Sequence, residues 1–342
     1  MSERVLPVTI VTGFLGSGKT TLLGYWLGHP DFQHTAVIVN EFGKVGLDHR
    51  VLRRIEENTI LLGGGCACCN VRADLVKELA NLINARDRGE LEVDRVVIET
   101  SGLADPAPIL FSIMTDSMIR HHYRVDYVVT CLDGVNGLLH LDGSAESIKQ
   151  IAVADRVILT KTDIADPKVL ARLEGRIQAI NPAATVLRAA CGQIEPEEVF
   201  AKETAARPER RKLPLPDQGH DHGSHTTQVH SISIGFTEPL NWAAFGLWLS
   251  ALLYAHGENI FRVKGLIDTG AEGPVMLNGV QHIIHPPQHL DSWGEEERRS
   301  EIVFIMRDIE PRRVLESLRA FQSIIGATAR IEELNLDPYG SR

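Results

Sequence analysis

A glycine-rich loop near the start of the chain constrains the fold more than any other feature. The segment GFLGSGKTT at 13–21 fits the pattern G-x-x-x-x-G-K-[ST], directly after an apolar run and before a helical pattern. Glycines at this spacing let the backbone curl until its N–H groups face a phosphate chain at a helix N-terminus. The order strand, loop, helix therefore predicts an α/β domain with a phosphate-binding loop.

Individual residues of this loop have distinct predicted roles. Lys19 is expected to reach the β- and γ-phosphates, and the Thr20 hydroxyl is expected to bind Mg²⁺, so both are candidate catalytic residues. The other predicted nucleotide-binding positions are Gly13, Gly16, Ser17, Gly18 and Thr21. A glycine-rich turn that contains a lysine by chance is the alternative, and the flanking strand and helix patterns disfavour it.

Short apolar runs alternate with helical patterns from residue 6 to about 203. Such runs, rich in Val, Ile and Leu on successive positions, are typical of strands covered on both faces. They are VTIVTGF, TAVIVNEF, NTILLGG, DRVVIETSG, YVVTCLDG, DRVILTKTD and TVLRAA, and amphipathic segments such as ADLVKELANLINA and PKVLARLEGRIQAIN lie between them. The alternation predicts a mostly parallel sheet flanked by helices.

A polar segment rich in Pro and His at 204–228 interrupts this pattern and predicts a linker. It separates a first domain at 1–203 from a smaller α+β domain at 229–335, which begins with the strand HSISIGF and the helix NWAAFGLWLSALLYAH. A chain of 342 residues is long enough for two such domains.

The net charge and the hydropathy of the sequence indicate which partners and which cellular location to expect. The net charge of −10 argues against nucleic acid as a partner, because a nucleic-acid footprint needs a basic face. No apolar run approaches the ~20 residues that span a bilayer, and the N-terminus lacks the order of residues found in a signal peptide. We therefore expect a cytoplasmic protein that does not contact a membrane.

Two later strands end in residues that suit a nucleotide site. DRVVIETSG at 94–102 contains Glu99, an acid that can hold the Mg²⁺ shell or orient the attacking water. DRVILTKTD at 155–163 ends in T-K-x-D, where Asp163 can accept bonds from guanine N1–H and the exocyclic amine while the Lys161 stem covers the ring. Thr160 stands where this motif usually has asparagine. Adenine offers no such donor pair, so we expect GTP as the nucleotide.

The segment VNEFGKVGLDH at 39–49 lies after the second strand, where nucleotide-sensing switch segments usually occur. Asn40, Glu41 and Asp48 are polar groups that can respond to Mg²⁺ or to the γ-phosphate, and Glu41 is a candidate metal ligand. An ordinary polar loop is the alternative interpretation.

Three of the five cysteines form the cluster GGGCACCN at 63–70. Cys66, Cys68 and Cys69 offer thiolates close enough to share a soft metal, and three ligands suit exchangeable binding because a closed structural zinc site normally has four. A redox pair or simple packing are the alternatives. Cys131 is expected to be a buried core thiol, and Cys191 is expected near the guanine, where it would contribute its backbone only.

Several motifs together resemble the CobW family of GTPases, which are relatives of the nickel-insertion GTPases HypB and UreG. They are GFLGSGKTT, NEFG, GGGCACCN, VVIETSGLADP and LTKTD, and FRVKGLID, VMLNGVQHI and WGEEERRSEIVFI resemble the CobW C-terminal domain. The resemblance implies a P-loop GTPase domain, followed by that domain. It also implies a metallochaperone that releases its metal into a client metalloprotein when GTP is hydrolysed.

The resemblance also assigns roles to residues. It makes Cys66, Cys68 and Cys69 the ligands of the transferred metal, Thr20 and Glu99 the Mg²⁺ and hydrolysis residues, and Lys161 with Asp163 the guanine reader. Some members carry a second acid in the NEFG-x segment, where this chain has Lys44. Zn²⁺ is the expected metal because it suits thiolates, with Co²⁺, Fe²⁺ and Ni²⁺ as alternatives.

The predicted linker contains a second candidate metal-binding feature. GHDHGSH offers His220, His222 and His225, a tract that resembles the metal-collecting segments of family members. The alternative is a polar linker whose histidines bind nothing. Two other functions stay open for the whole chain, a P-loop kinase acting on a small molecule and a zinc storage or sensor protein regulated by GTP. No oligomeric state follows from the sequence.

Overall fold

A computed structural model describes residues 5–40, 59–61, 70–201, 229–236, 238–293, 298–325 and 331–335. Contacts between Cα atoms divide the chain into two units, Met1–Glu174 with Ala184–Ala201, and Gly175–Ala183 with Lys202–Arg342. No helix in the described ranges has the length and apolar character needed to cross a membrane.

The first unit contains a sheet of seven strands, and every neighbouring pair is parallel. The strands are β1 (Leu6–Thr12), β2 (Thr35–Asn40), β3 (Thr59–Leu61), β4 (Arg95–Thr100), β5 (Tyr123–Asp133), β6 (Arg156–Thr160) and β7 (Thr185–Arg188). Their spatial order is β3-β2-β4-β1-β5-β6-β7. The P-loop strand β1 therefore lies between β4 and β5, the strands that end in Thr100 and Asp133.

The helices lie between the strands, as the alternating pattern predicts. They are α1 (Lys19–Leu27), α2 (Asn70–Asp87), α3 (Ala107–Thr115), α4 (Ile119–His122), α5 (Gly137–Gly143), α6 (Ala145–Ala152), α7 (Pro167–Ile180) and α8 (Pro196–Phe200). Every residue of β6 is buried, which matches a strand covered on both faces. The predicted parallel sheet with flanking helices is confirmed.

Aromatic and aliphatic side chains fill the core beside the central strands. Trp26 is fully buried and stacks on Phe32, with ring centroids 5.9 Å apart, while its indole N–H donates to the Ile194 carbonyl oxygen at 3.1 Å. Cys131 lies in the same cluster, fully buried, as the sequence predicts for a core thiol. Burial raises the pKa of the Cys131 thiol to about 12. The core therefore holds this cysteine as an uncharged apolar group.

The second unit is built on an antiparallel sheet. Its strands are β8 (Val229–Phe236), β9 (Ile260–Ile267), β10 (Val275–Val280), β11 (Ile283–Ile284), β12 (Gln288–His289), β13 (Ser300–Arg307) and β14 (Ile331–Asn335), in the order β11-β10-β9-β13-β8-β14 with β12 beside β10. The helices are α9 (Trp242–His256) and α10 (Pro311–Ile325). Trp248 of α9 packs edge-on against Phe304 of β13 with centroids 5.9 Å apart, which joins helix and sheet in one core.

The sequence and the structure differ in detail in this unit. The predicted strand QHIIHPP contains only two residues in strand conformation, because Pro286 and Pro287 cannot donate to a ladder. Strands β12 and β14 carry polar residues and were not predicted. The linker at 204–228, Glu41, the three clustered cysteines and His220, His222 and His225 lie outside the described residues, so those expectations and the predicted domain boundaries stay predictions.

Candidate nucleotide site

The phosphate-binding loop follows β1 and enters α1 at Lys19. Gly13 adopts a φ of 138°, and a Cβ atom there would collide with the Cys131 carbonyl oxygen of the neighbouring strand. Only glycine avoids both the backbone strain and this contact. Gly18 follows with a φ of 88° as the N-cap of α1. The loop can therefore turn sharply at the carboxyl edge of the sheet and direct its N–H groups outward.

Lys19 is buried within the loop it terminates. Its ammonium donates to the carbonyl oxygens of Gly13 at 2.8 Å and Phe14 at 3.2 Å. The hydroxyl of Ser17 is also buried, and it has no hydrogen-bond partner within the described ranges. The loop thus concentrates a positive charge and an unsatisfied hydroxyl at the place where the sequence predicts phosphate oxygens.

Thr20 and Glu99 meet across the sheet edge. The Thr20 hydroxyl donates to Glu99 Oε1 at 3.0 Å. Glu99 is paired with Val11 of β1 and is buried, so its position is set by the parallel register of β4 and β1. A hydroxyl and a carboxylate are hard oxygen donors of the kind that Mg²⁺ prefers. These two residues therefore fit the predicted magnesium role. The fold brings them into contact although they are 79 positions apart in the sequence.

Gly102, just beyond the end of β4, lies directly against the P-loop. A Cβ atom at this position would stand 2.6 Å from the backbone nitrogen of Leu15 and 2.8 Å from its Cα atom. Real side chains do not tolerate such distances to backbone atoms. Glycine at this point therefore allows the segment after Glu99 to approach the phosphate-binding loop.

Thr160, the last residue of β6, connects the T-K-x-D segment to the P-loop. Its hydroxyl donates to the Ser17 carbonyl oxygen at 2.7 Å, with the Leu132 carbonyl oxygen at 3.3 Å, and the side chain is 2% exposed. The two predicted parts of the nucleotide site, which are far apart in sequence, are thus held side by side. A threonine can perform this connecting role where the motif usually has asparagine.

Lys161 is held by a carboxylate that the sequence patterns did not single out. Its ammonium donates to Asp133 Oδ2 at 2.6 Å, and Asp133 at the end of β5 is 2% exposed. The other carboxylate oxygen accepts the backbone N–H groups of Val135 at 2.8 Å and Asn136 at 3.1 Å. Burial alone would raise the pKa of Asp133, but the bonds from Lys161, Asn136 and Val135 outweigh it and hold the pKa below its ordinary value.

Asp163 is fixed by the loop after β7. The Cys191 backbone N–H donates to Asp163 Oδ1 at 3.1 Å, and the Cys191 thiol lies 3.5 Å from Oδ2. The N–H bond lowers the pKa of Asp163, and the bond to this carboxylate raises the pKa of the Cys191 thiol. Asp163 is therefore an ionised acceptor at neutral pH. The expectation that Cys191 contributes only its backbone was incomplete, since its thiol also contacts the carboxylate.

The position of Asp133 does carry a signal in the sequence. Asp133 closes the apolar run YVVTCLDG, so it lies at the carboxyl end of a parallel strand, the edge where ligands bind in open α/β sheets. The same reasoning selected Glu99, whereas Asp163 was selected from the T-K-x-D motif. Thr162, whose hydroxyl donates to the Ala189 carbonyl oxygen at 3.0 Å, has no comparable signal because its role is a contact between two loops.

One group of metal-competent side chains occurs within the described part of the chain, away from the predicted cysteines. Ligand atoms of His29, Glu195 and Glu197 lie within 4.8 Å of one another. His29 Nδ1 already accepts the Asp31 backbone N–H at 3.3 Å, and Tyr25 donates its hydroxyl to Glu195 at 2.6 Å. These bonds explain the cluster as a polar contact between α1, the following turn and α8.

Comparison with known protein families shows which family this chain belongs to. The family model for the CobW/HypB/UreG nucleotide-binding domain matches residues 7–188, and the model for the cobalamin synthesis protein cobW C-terminal domain matches residues 229–322. The chain belongs to the CobW/HypB/UreG family of GTPases. The resemblance inferred from the motifs is confirmed, and so is the predicted enzyme class.

Several relatives align with this chain over nearly its whole length. The zinc chaperone YjiA of Escherichia coli is 30% identical over 301 residues, covering 88% of this chain and 93% of that protein. The zinc chaperone CobW of Pseudomonas aeruginosa is 31% identical, covering 92% and 91%. The zinc-regulated GTPase metalloprotein activator 1 of Schizosaccharomyces pombe is 27% identical, covering 91% and 82%.

A solved structure shows the same architecture. The Zn(II)-bound YjiA GTPase from E. coli superposes with a TM-score of 0.67 at 24% identity, over 93% of this chain and 99% of that one. The arrangement of a P-loop sheet followed by an antiparallel sheet domain is therefore the fold of a CobW-type protein.

Proposed function

We propose that this CobW-family GTPase is a metallochaperone that takes up zinc at Cys66, Cys68 and Cys69 and transfers it to a client metalloprotein under nucleotide control. The nucleotide-binding part of this proposal rests on the hydrogen bond from Thr160 to the Ser17 carbonyl oxygen. This bond holds the phosphate loop next to the loop proposed to read the base. The metal-binding part of the proposal is supported by the cysteine motif and by relatives whose names describe zinc chaperones.

Guanine selection would rest on Asp163. This exposed carboxylate is held in place by the Cys191 N–H and stays ionised, so both of its oxygens act as acceptors. Guanine presents N1–H and an amino group toward such an acceptor, whereas adenine has no N1–H. The Lys161 stem, anchored at its ammonium by Asp133, would lie on the face of the ring.

Hydrolysis of GTP to GDP and phosphate would use the residues at the other end of the site. Lys19 would leave its carbonyl partners for the β- and γ-phosphate oxygens, and Thr20 with Glu99 would hold Mg²⁺ or its water shell, with Glu41 as a further candidate. When bound, Mg²⁺ neutralises charge that develops on the phosphate oxygens. Glu99 is also placed to orient the attacking water and accept its proton.

The order of the strands supports a coupling between nucleotide binding and metal binding. The cysteine motif comes shortly after β3, which pairs with β2, and β2 pairs with the strand that contains Glu99. Elements that contact the γ-phosphate and the segment that holds the metal would therefore start from neighbouring strands. His220, His222 and His225 would collect metal weakly before transfer to the cysteines.

Competition titrations of Zn²⁺, Co²⁺, Ni²⁺ and Fe²⁺ with Mg²⁺-GTP, Mg²⁺-GDP or no nucleotide test the proposal. We expect the tightest binding with GTP and with zinc. Cys66→Ser should weaken zinc binding at least about tenfold, as loss of a metal ligand requires. Cys131→Ala is the matched control, because this cysteine is buried in the core.

The other outcomes of these titrations identify the alternatives. Equal zinc affinity in all nucleotide states would indicate a storage or sensor protein. Tighter binding of ATP than of GTP would indicate a small-molecule kinase. Transfer itself is measured as the return of activity to a zinc-free client enzyme, which should require GTP hydrolysis.

A further inference from the structure

We propose that the side chains of two described loops, residues 160–163 and 189–192, recognise guanine at its N1 and amino-group edge, and that none of these side chains donates a hydrogen bond to N7. The inference rests on the GTP binding proposed above and names the part of the base that is recognised. It predicts that a GTP analogue with C–H in place of N7 binds as well as GTP.

Guanine offers two kinds of hydrogen-bonding groups. N7 and O6 are acceptors and need a donor from the protein, whereas N1–H and the amino group are donors and need an acceptor. Within the described residues, Asp163 belongs to the loop at 160–163 after β6, and the loop at 189–192 after β7 is bonded to it through Cys191 and Ala189. Their side-chain donors are Thr160, Lys161, Thr162 and Cys191.

The hydroxyl groups of both threonines in these loops already donate hydrogen bonds to backbone carbonyl oxygens. Thr160 donates to the Ser17 carbonyl oxygen at 2.7 Å and is buried, and Thr162 donates to the Ala189 carbonyl oxygen at 3.0 Å. A hydroxyl has a single proton, so neither side chain can make a second donated bond without giving up the first. In the case of Thr160, that first bond holds the P-loop against β6.

The remaining two donors are held by carboxylates. Lys161 is drawn to Asp133 at 2.6 Å, which places its ammonium at the end of β5 and leaves its stem for the base. The Cys191 thiol faces Asp163 at 3.5 Å. Because Asp163 raises the pKa of this thiol, it stays protonated and directed at the carboxylate.

The side-chain group of these loops that remains available to the base is the Asp163 carboxylate, which is a hydrogen-bond acceptor. Asp163 is exposed and ionised, and it has two oxygens with lone pairs beyond those used by Cys191. The side chains therefore select a base by the donors at N1 and at the exocyclic amine. An asparagine at position 160 would differ in this respect, because its amide has two N–H groups and could hold Ser17 with one and donate to N7 with the other.

The experiment compares GTP, 7-deaza-GTP, ITP and ATP as competitors for a fluorescent GDP on the full-length protein with Mg²⁺. We expect 7-deaza-GTP to match GTP within about threefold, since no hydrogen bond is lost. ITP lacks the amino group and should bind about tenfold more weakly, as expected for loss of a bond to a charged acceptor. A larger than threefold loss with 7-deaza-GTP overturns the inference.

Two variants at position 160 test the role of the Thr160 hydroxyl directly. Thr160→Asn should introduce a preference for GTP over 7-deaza-GTP, whereas Thr160→Ser, which keeps the hydroxyl, should stay indifferent. An asparagine variant that folds and shows no preference contradicts the role assigned to the Thr160 hydroxyl. A protein that prefers ATP overturns the GTP assignment and this inference together, while a loss confined to 7-deaza-GTP overturns this inference alone. If the asparagine variant does not fold, the comparison of nucleotides on the natural protein still decides.

Discussion

The Lys161 ammonium lies 2.6 Å from the carboxylate of Asp133, at the end of a strand that neighbours the P-loop strand. Lys161 adopts a left-handed backbone conformation with φ of 56°, which a residue with a Cβ atom rarely adopts. The ion pair and the Thr160 bond hold this strained residue between them. The lysine that we assign to the face of the base is therefore positioned by a buried acid outside its own motif.

Removal of the Asp133 charge should weaken nucleotide binding. In Asp133→Asn the amide still accepts the backbone N–H groups but no longer attracts the ammonium. A charged hydrogen bond contributes about 1.5–3 kcal/mol, so we expect the Kd for GTP to rise about tenfold or more. Asp126→Asn, at the exposed start of the same strand, should leave the Kd unchanged. Fluorescent-nucleotide titration measures both.

A double-mutant cycle separates positioning from simple destabilisation. Lys161→Met keeps the apolar stem and removes the charge that Asp133 binds. If Asp133 acts through Lys161, the double variant should bind GTP about as well as Lys161→Met alone. Strictly additive losses in GTP affinity would show that Asp133 affects binding by another route.

The Asp133 carboxylate should also make stability depend on pH. Its folded pKa is lowered, so the stabilisation is present above the unfolded-state pKa of about 3.9 and is lost as pH falls through the folded pKa. The difference in unfolding free energy between the natural protein and Asp133→Asn should be constant from about pH 5 to 7 and shrink below about pH 4. Urea unfolding at several pH values measures it, and a difference that grows toward low pH would contradict the assignment.

Glu99 should affect turnover more than binding if it orients water. We expect Glu99→Gln to lower kcat about 100-fold or more, the usual effect of losing a general base, with little change in the affinity for GTP. Single-turnover hydrolysis and nucleotide binding separate the two effects. If GTP affinity falls and excess Mg²⁺ restores it, Glu99 acts chiefly on the metal shell. Glu92→Gln, an exposed acid ahead of the same strand, is the control.

Gly102 should tolerate no side chain. In Gly102→Ala the new Cβ atom would overlap the Leu15 backbone, and overpacking of this kind costs about 1–3 kcal/mol. Because the displaced atoms belong to the P-loop, the Kd for GTP should rise about tenfold. Gly143→Ala, where nothing lies within 4 Å, is the matched control. Equal GTP affinity in the two variants would show that the loop moves aside without loss.

The strand and helix pattern of the first unit could be predicted because burial on both faces leaves a strong mark in the sequence. All seven predicted strands of this unit occur, and the P-loop lies between strand and helix as expected. The second unit was harder, because its short and polar strands carry weaker patterns. Strand β14 has the sequence IEELN, in which neither apolar runs nor alternation are distinct.

The sequence by itself determined the residue types from which the chemistry of the site is predicted: a phosphate loop, an acid-ended strand, a T-K-x-D segment for the base and a cysteine cluster for a metal. Each is a local pattern that needs particular residue types. Only the tertiary structure decided which residues support them. Asp133, Thr162 and the thiol of Cys191 act through contacts between strands or loops that are distant in sequence. Such contacts depend on strand order, and strand order is set by packing of the whole sheet and leaves no local mark.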